Sequence, residues 1–425
     1  RPRVATMPFK VGFIVGKDTD VVEDPKFTDM GGDVSFLADM PDDWRVDPVS
    51  HEYLKDCEPG TKGYVHCDVA IAWWIKKNCP DIEVDIICGP GDITLKRLQS
   101  NDFNFTLGFN AVNLMVANNQ ETPKIMKMLA TCGNLAPDWG FEQYILQKSN
   151  YMKDCMANGV PMAPTIFSLK GKRSPEGLLD EIKARGWKTF VMKQSESGFS
   201  LGFCKLKVEE CEKDSSFLTT YFKDYKHISE FVVQEAVDGF TRNWETRCFW
   251  YNGEFLYAIA NMAAVSTEDG AERIITGDDI PAEFLENAKR IGKEAIKCLP
   301  SLQVPGGGAV PMVLARTDIG CSDSQLYDKD LNWDPTKKTF FLNEIEPSST
   351  TYFVRHLKFD CIPTYGRLYA ETARKMKARM DLNVAPPMKR AAAKRVAKPV
   401  RAMKAVNGKK GKAKAKAATV MKVMK

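Results

Sequence analysis

No stretch of the 425-residue sequence reaches the ~18 consecutive apolar residues that a membrane-spanning helix needs, so no membrane partner is expected. The opening residues, RPRVATMPFK, lack the apolar core of a secretory signal. They do not begin with Met, so a native N-terminus further upstream is expected. No C-x-x-C occurs among the 12 cysteines, and spacings of 9 to 12 residues among the first four match no zinc signature. His66 beside Cys67 is therefore read as an ordinary pair. Cysteines scattered along so large a chain point to a reducing, intracellular compartment, cytoplasmic or nuclear. No glycine-containing stretch continues as G-K-[ST], which excludes a Walker A phosphate loop. Residues 386–425 contain no acid and no aromatic side chain and cannot build a core.

What is present is ordinary for a soluble globular protein: 44% hydrophobic and 27% charged residues. The length suits two or three packed domains. Charge is segregated. Of the 60 Lys and Arg residues, 14 lie in 386–425 together with none of the 55 acids, leaving the preceding 385 residues 46 bases and a net charge of −9. An acidic body carries a basic tail.

Along the body, FKVGFIVG (9–16) and EVDIICGPGD (83–92) read as buried strands, with a third apolar segment at FNFTLGFNAVNLMVA (103–117). Between the first two, HCDVAIAWWIKKNC (66–79) has helical periodicity. Alternating β and α favours a parallel sheet covered by helices. Further on, a helix through Met152–Ala157 stops at Asn158-Gly159. KTFVMKQSESGFSLGFCKL (188–206) reads as strand, glycine turn and strand, and FVVQEAV (231–237) as another strand. RCFWYNGEFLYAIA is a hairpin turning at Asn252-Gly253. PAEFLENAKRIGKEAIKCL (281–299) is an amphipathic helix, followed by the strands of AVPMVLARTDIG and TFFLNEIEP.

Three places carry chemistry. Lys193 precedes SESGFSLG, a turn whose backbone N–H groups suit a phosphate, although such a turn is more often only a turn. In ARTDIG, Arg316 and Asp318 share one strand face, and in LNEIEP so do Glu344 and Glu346. Adjacent like charges repel unless a cation lies between them or one takes a proton. Asp318, Glu344 and Glu346 together would make a hard oxygen site for Mg²⁺, with Arg316 facing charge that develops in a reaction. For a solvated face instead, neutralising Glu344 would change stability little, and with three acids repelling one another Glu344→Gln is predicted to stabilise the metal-free protein slightly.

In order and spacing these segments, over roughly 145–360, resemble the ATP-grasp ligases, especially D-alanine–D-alanine ligases and the ligases that add glutamate to a ribosomal protein. The resemblance implies an α/β (α+β) protein of ATP-grasp fold: an N-terminal α/β (pre-ATP-grasp) domain at 1–140, a central ATP-lid subdomain at 141–240, a C-terminal metal and catalytic subdomain at 241–380, and a disordered basic tail at 381–425. QKSNYMKDCMANGVPMAPTIF is similar to the segment opening the family's central domain, which gives Lys148 to the α-phosphate. FVMKQSESGFSLG is similar to its strand, lysine and glycine-serine loop, giving Lys193, Ser197, Gly198 and Ser200 to the phosphates. VVQEAVDG resembles the adenine hinge, giving Gln234, Glu235 and Val237. ETRCFWYNGEFLYAI resembles the next hairpin, giving Glu245 to the ribose or nucleotide. ARTDIG and LNEIEP resemble the final metal strands, giving catalytic Arg316 and metal ligands Asp318, Glu344 and Glu346, the last where the family usually has Asn. The N-terminal strand VGFIVGKDTD lacks the Gly-Gly-x-Ser-x-Glu pattern with which D-alanine ligases hold the substrate amine.

The implied activity is ATP-dependent joining of a small-molecule or peptide carboxylate to an amine acceptor through an acyl phosphate. ATP and Mg²⁺ are the implied cofactors, with Mn²⁺ as the alternative ion. PSSTTYF after the metal strand is expected to wall the acceptor pocket. The tail supports two other readings: a nucleotide-binding, nucleic-acid-associated protein whose tail does the work, or an enzyme steered by its tail to an acidic polymer. Absence of aromatics in the tail argues against base stacking.

Overall fold

The computed structural model describes residues 8–16, 21–23, 35–45, 64–107, 122–169, 174–196, 202–262, 273–303, 309–310, 313–323, 339–346, 357 and 361–384. Among the described residues, three sheets of four or five strands follow one another along the chain, beside two small two-stranded ones. Apolar runs with little alternation form the first, which is parallel: β1 (Phe9–Val15), β2 (Ile82–Cys88), β3 (Phe103–Thr106) and β4 (Leu135–Ala136), in the order β2-β1-β3-β4. Near-continuous hydrophobicity is what a strand covered on both faces requires. Helix α1 (Cys67–Asn78) lies against this sheet with Val69, Ile71 and Ile75 buried. Residues 108–117 of the third apolar segment lie outside the described residues.

Helices α2 (Trp139–Leu146) and α3 (Lys148–Ala157) lead to the second sheet. It is antiparallel, with β5 (Thr165–Leu169), β6 (Thr189–Gln194), β7 (Cys204–Lys207) and β8 (Glu230–Glu235) in the order β5-β8-β6-β7. Helix α3 is longer than the sequence predicts, starting at Lys148 and ending, as expected, before Asn158.

The third sheet is also antiparallel: β9 (Glu245–Tyr251), β10 (Glu254–Met262), β11 (Arg273–Thr276), β12 (Leu314–Ser322) and β13 (Thr339–Glu346), in the order β11-β10-β9-β12-β13. The β9–β10 hairpin turns at Asn252 (φ 51°) and Gly253 (φ 82°), two left-handed residues in succession, as the predicted Asn-Gly turn demands. Helix α4 (Ala282–Lys297) covers one face with Phe284, Ala288, Ile291 and Ala295. At Gly292 the helix comes so close that a Cβ would meet Thr317 Oγ1 at 2.6 Å and Trp250 at 2.7 Å.

The last helix, α5 (Cys361–Val384), was not read from the sequence, which placed the body's end near 380 within the C-terminal subdomain. It packs into a core shared by the first sheet and by Tyr251 and Tyr257 of the third, with Tyr365 donating to Tyr257 at 3.1 Å. Tyr369 is fully buried with its ring edge-on to Phe105 (5.2 Å) and Phe13 (6.3 Å), and each such buried aromatic is worth about 1.5–3 kcal/mol. The described residues, up to Val384, belong to one compact unit; residues 385–425, which contain the basic tail, lie outside the described residues. No described helix is long and apolar enough to cross a membrane.

Candidate active site

Register on the third sheet decides which side chains meet. Arg247 of β9 lies opposite Asp318 of β12, and Asp318 opposite Glu344 of β13; two pairs further along, on the same face, Arg316 lies opposite Glu346. The β12–β13 ladder slips between Asp318 and Ile319, leaving Asn343 as an extra residue. The bulge matters because side chains alternate. Below it Leu342 and Phe340 share the apolar face with Ile319 and Cys321 under α4, while above it Glu344 and Glu346 share the other face with Asp318 and Arg316. A strand can thus leave the core and present two acids at its end.

Arg316 and Asp318, both buried, form a two-pronged ion pair at 2.7 and 2.8 Å. Arg247 Nε is 3.8 Å from the same carboxylate, and its guanidinium also donates to Glu245 at 3.0 Å. Asn343 donates to the other oxygen of Glu245 at 2.8 Å. Burial raises the Glu245 carboxyl, and Arg247 works against that rise.

Lys148, the first residue of α3 and 9% exposed, is ion-paired with Glu344. Lys193 lies within β6, on the strand and not in the turn, its ammonium pushed down by burial although Glu344 pulls the other way. Burial opposes charge on Glu344, but Lys148 and Lys193 override it and hold that carboxyl down at about 2. Glu346 has the opposite balance: burial and then the Glu344 charge push it up to about 7. Four cations, Lys148, Lys193, Arg247 and Arg316, face four carboxylates, Glu245, Asp318, Glu344 and Glu346.

The predicted hinge is also resolved. Gln234 is buried with its amide donating to Thr165 at 3.1 Å, so its side chain belongs to the sheet and not to the site. Glu235 N–H donates to Pro164 C=O at 3.0 Å. In an antiparallel pair the bond is normally returned, but Pro164 has no N–H to give, and the Glu235 carbonyl loses its ladder donor. Among the described residues nothing accepts the Val237 N–H. Val237 and Phe240 pack on Ala163 and Phe341, an apolar platform beside these two backbone groups. Ser197, Gly198, Ser200 and the PSSTTYF segment lie outside the described residues.

The sequence reading missed Arg247 and Asn343. Arg247 has a local signal, its place two residues after Glu245 in ETR, and Asn343 stood inside the quoted LNEIEP. Their partners come from strand register, which a single strand does not disclose. Among the described residues no three His, Cys, Asp or Glu side chains stand close enough to hold a metal ion; Asp318, expected as a third metal ligand, is engaged by Arg316.

No sequence-family profile matches the chain, and no curated protein sequence matches it. Solved structures do. A D-cycloserine synthetase superposes with a TM-score of 0.54 at 13% identity, over 85% of this chain and 99% of that one. The D-alanyl-alanine synthetase A of Vibrio cholerae O1 biovar eltor str. N16961 superposes with a TM-score of 0.51 at 12% identity, over 89% of this chain and all of that one, a covered share of 100%. The chain has the ATP-grasp fold.

Proposed function

We propose that this protein is an ATP-dependent ligase that joins a carboxylate to an amine through an acyl phosphate. The observation that carries this reading is one sheet face bearing four carboxylates and two arginines, met by Lys148 from α3 and Lys193 from the second sheet, beside the hinge. Adenine offers an amino donor next to a ring-nitrogen acceptor, matched in kind by the Glu235 carbonyl and the Val237 N–H, with Val237, Phe240 and Phe341 as a surface for its ring. Lys148 and Lys193 would take the α- and β-phosphates, Ser197, Gly198 and Ser200 would cover the far end, and Glu245 would stand near the ribose. The names of the two similar structures, both synthetases, agree with this class of reaction.

The residues fit a divalent cation. Glu344 and Glu346 are neighbours on one face, and burial together with the Glu344 charge drives the Glu346 carboxyl toward its protonated form, a repulsion that a hard cation between them would relieve. Glu344 and Glu346 would hold Mg²⁺, or Mn²⁺ in its place, and Asp318 would join them only by giving up its pairing with Arg316. Bound there, the ion would neutralise charge between the phosphates.

In the reaction a carboxylate oxygen of the substrate attacks the γ-phosphorus and ADP leaves. The amine then attacks the acyl carbon, loses a proton and expels inorganic phosphate, forming the amide. Arg316 would face the oxyanion of that second step. Positioning and electrostatics suffice without a protein nucleophile.

ADP release screened over amino acids and dipeptides identifies the substrate pair. With that pair, a carboxylate labelled with heavy oxygen is expected to pass one labelled atom to the released phosphate. Unlabelled phosphate throughout would contradict the acyl-phosphate route.

A further inference from the structure

Helix α3 begins without a cap of its own. Gln147 precedes it in a non-helical conformation and its side chain bonds none of the first-turn amides. Such amides need acceptors when buried, and here they come from another element. The Lys148 N–H donates to the Ser195 carbonyl at 2.9 Å, and the Ser149 N–H donates to Ser195 Oγ at 3.1 Å. The Ser195 hydroxyl in turn donates to Ser149 Oγ at 2.9 Å, and the Ser149 hydroxyl donates to the Glu230 carboxylate. Lys153 holds the second oxygen of Glu230 at 2.8 Å, and the Ser195 N–H donates to the Glu230 backbone carbonyl at 2.9 Å. Ser149 and Ser195 are fully buried and Glu230 is 2% exposed.

The chain of bonds joins the two elements that carry the phosphate-facing lysines. Lys148 is the residue whose amide Ser195 caps, and Lys193 stands two positions before Ser195 at the end of β6. We propose that Ser195 is a positioning residue for nucleotide binding. It caps α3 from the neighbouring strand and so fixes Lys148 beside Lys193, while Glu230 sets the direction of both serine hydroxyls. The proposal rests on the assignment of Lys148 and Lys193 to the phosphates of ATP. Ser195 itself need not touch the nucleotide, and its effect should pass through Lys148.

The test is a double-mutant cycle read as ATP affinity by calorimetric titration of the full chain, with Ser195→Ala, Lys148→Ala and the pair. Each single change is expected to weaken ATP about tenfold, the equivalent of one cap's worth of free energy. The pair is expected to be little worse than Lys148→Ala alone, because a lysine already displaced has nothing more to lose. Ser195→Thr, which keeps the hydroxyl, is expected to bind ATP within about threefold of the parent, and it serves as the test if Ser195→Ala does not fold; a tenfold loss in a folded Ser195→Ala that Thr does not rescue counts against the cap. Lys148→Ala with unchanged affinity overturns the phosphate assignment and the proposal with it. A weakened Lys148→Ala alongside a fully additive or silent Ser195→Ala overturns the cap alone.

Discussion

Glu344 and Glu346 are two residues apart on one strand, yet their surroundings treat them oppositely. Glu344 has Lys148 against it and Lys193 near it, so its charge is wanted. The sequence-based expectation that Glu344→Gln stabilises the metal-free protein is therefore reversed, because the partner of this acid is a lysine from another element. Glu344→Gln is expected to lower stability by about 1–3 kcal/mol, read as a fall in the urea midpoint without metal. A second buried acid lies away from the site. Glu142 accepts from Thr106 at 2.9 Å, its other oxygen has no partner among the described residues, and burial pushes it up to about 7. A carboxyl raised in the folded state contributes stability that is complete below its ordinary value and lost as pH rises through the folded one. Between pH 5.5 and 8 the parent protein should therefore lose about 2 kcal/mol relative to Glu142→Gln. Parallel urea midpoints of the two proteins over that range would argue that Glu142 is ionised throughout.

At the scale of elements, the hinge illustrates how a missing hydrogen bond leaves a backbone group for a ligand, the role that the proposal gives to the Glu235 carbonyl. Pro164 leaves the Glu235 carbonyl without its ladder donor. Pro164→Ala would supply an N–H to that carbonyl and set it in competition with adenine. ATP affinity is expected to drop about fivefold, the worth of roughly one hydrogen bond, with the melting temperature unchanged or higher. Equal affinities in the two proteins would place adenine elsewhere. Much of this element structure was legible in the sequence. Apolar runs gave β1, β2 and β6, Asn252-Gly253 gave the hairpin, and the spacing of Phe284, Ala288, Ile291 and Ala295 gave α4. Strand alternation likewise put Arg316 with Asp318 and Glu344 with Glu346. What stayed hidden depends on contact between distant segments. The slip at Asn343, the Arg247–Asp318 pairing and the capture of Lys148 by Glu344 are properties of register and packing. Helix α5 was hidden for a related reason: Pro363 and Gly366 interrupt its first turns, and its aromatic face is matched to Phe13 and Phe105, some 250 to 350 residues earlier.

For the whole molecule, charge divides the chain into an acidic body and a tail with 14 bases and no acid. Deleting 386–425 is expected to leave the melting temperature and ATP turnover unchanged, since every candidate site residue precedes the tail. It should remove any binding to duplex DNA, and a truncated protein that still binds DNA with a steep salt dependence would move that contact to the body. The body's central property is its balanced cluster of charges, in which Lys148, assigned by the proposal to a phosphate, and Glu344, assigned to the metal, hold one another. On the proposed assignment, metal-free ATP would have to break that pair, whereas ATP arriving with Mg²⁺ would give each partner a new counter-charge. The most direct measurement is calorimetric titration of ATP with and without Mg²⁺, in the parent protein and in Glu344→Gln. The parent is expected to bind ATP at least about tenfold more tightly with Mg²⁺, and the variant to bind metal-free ATP more tightly than the parent while losing most of the benefit of the metal. A parent protein that binds ATP equally well with and without Mg²⁺, and a variant that behaves the same way, would contradict the assignment of this face to a magnesium–nucleotide site.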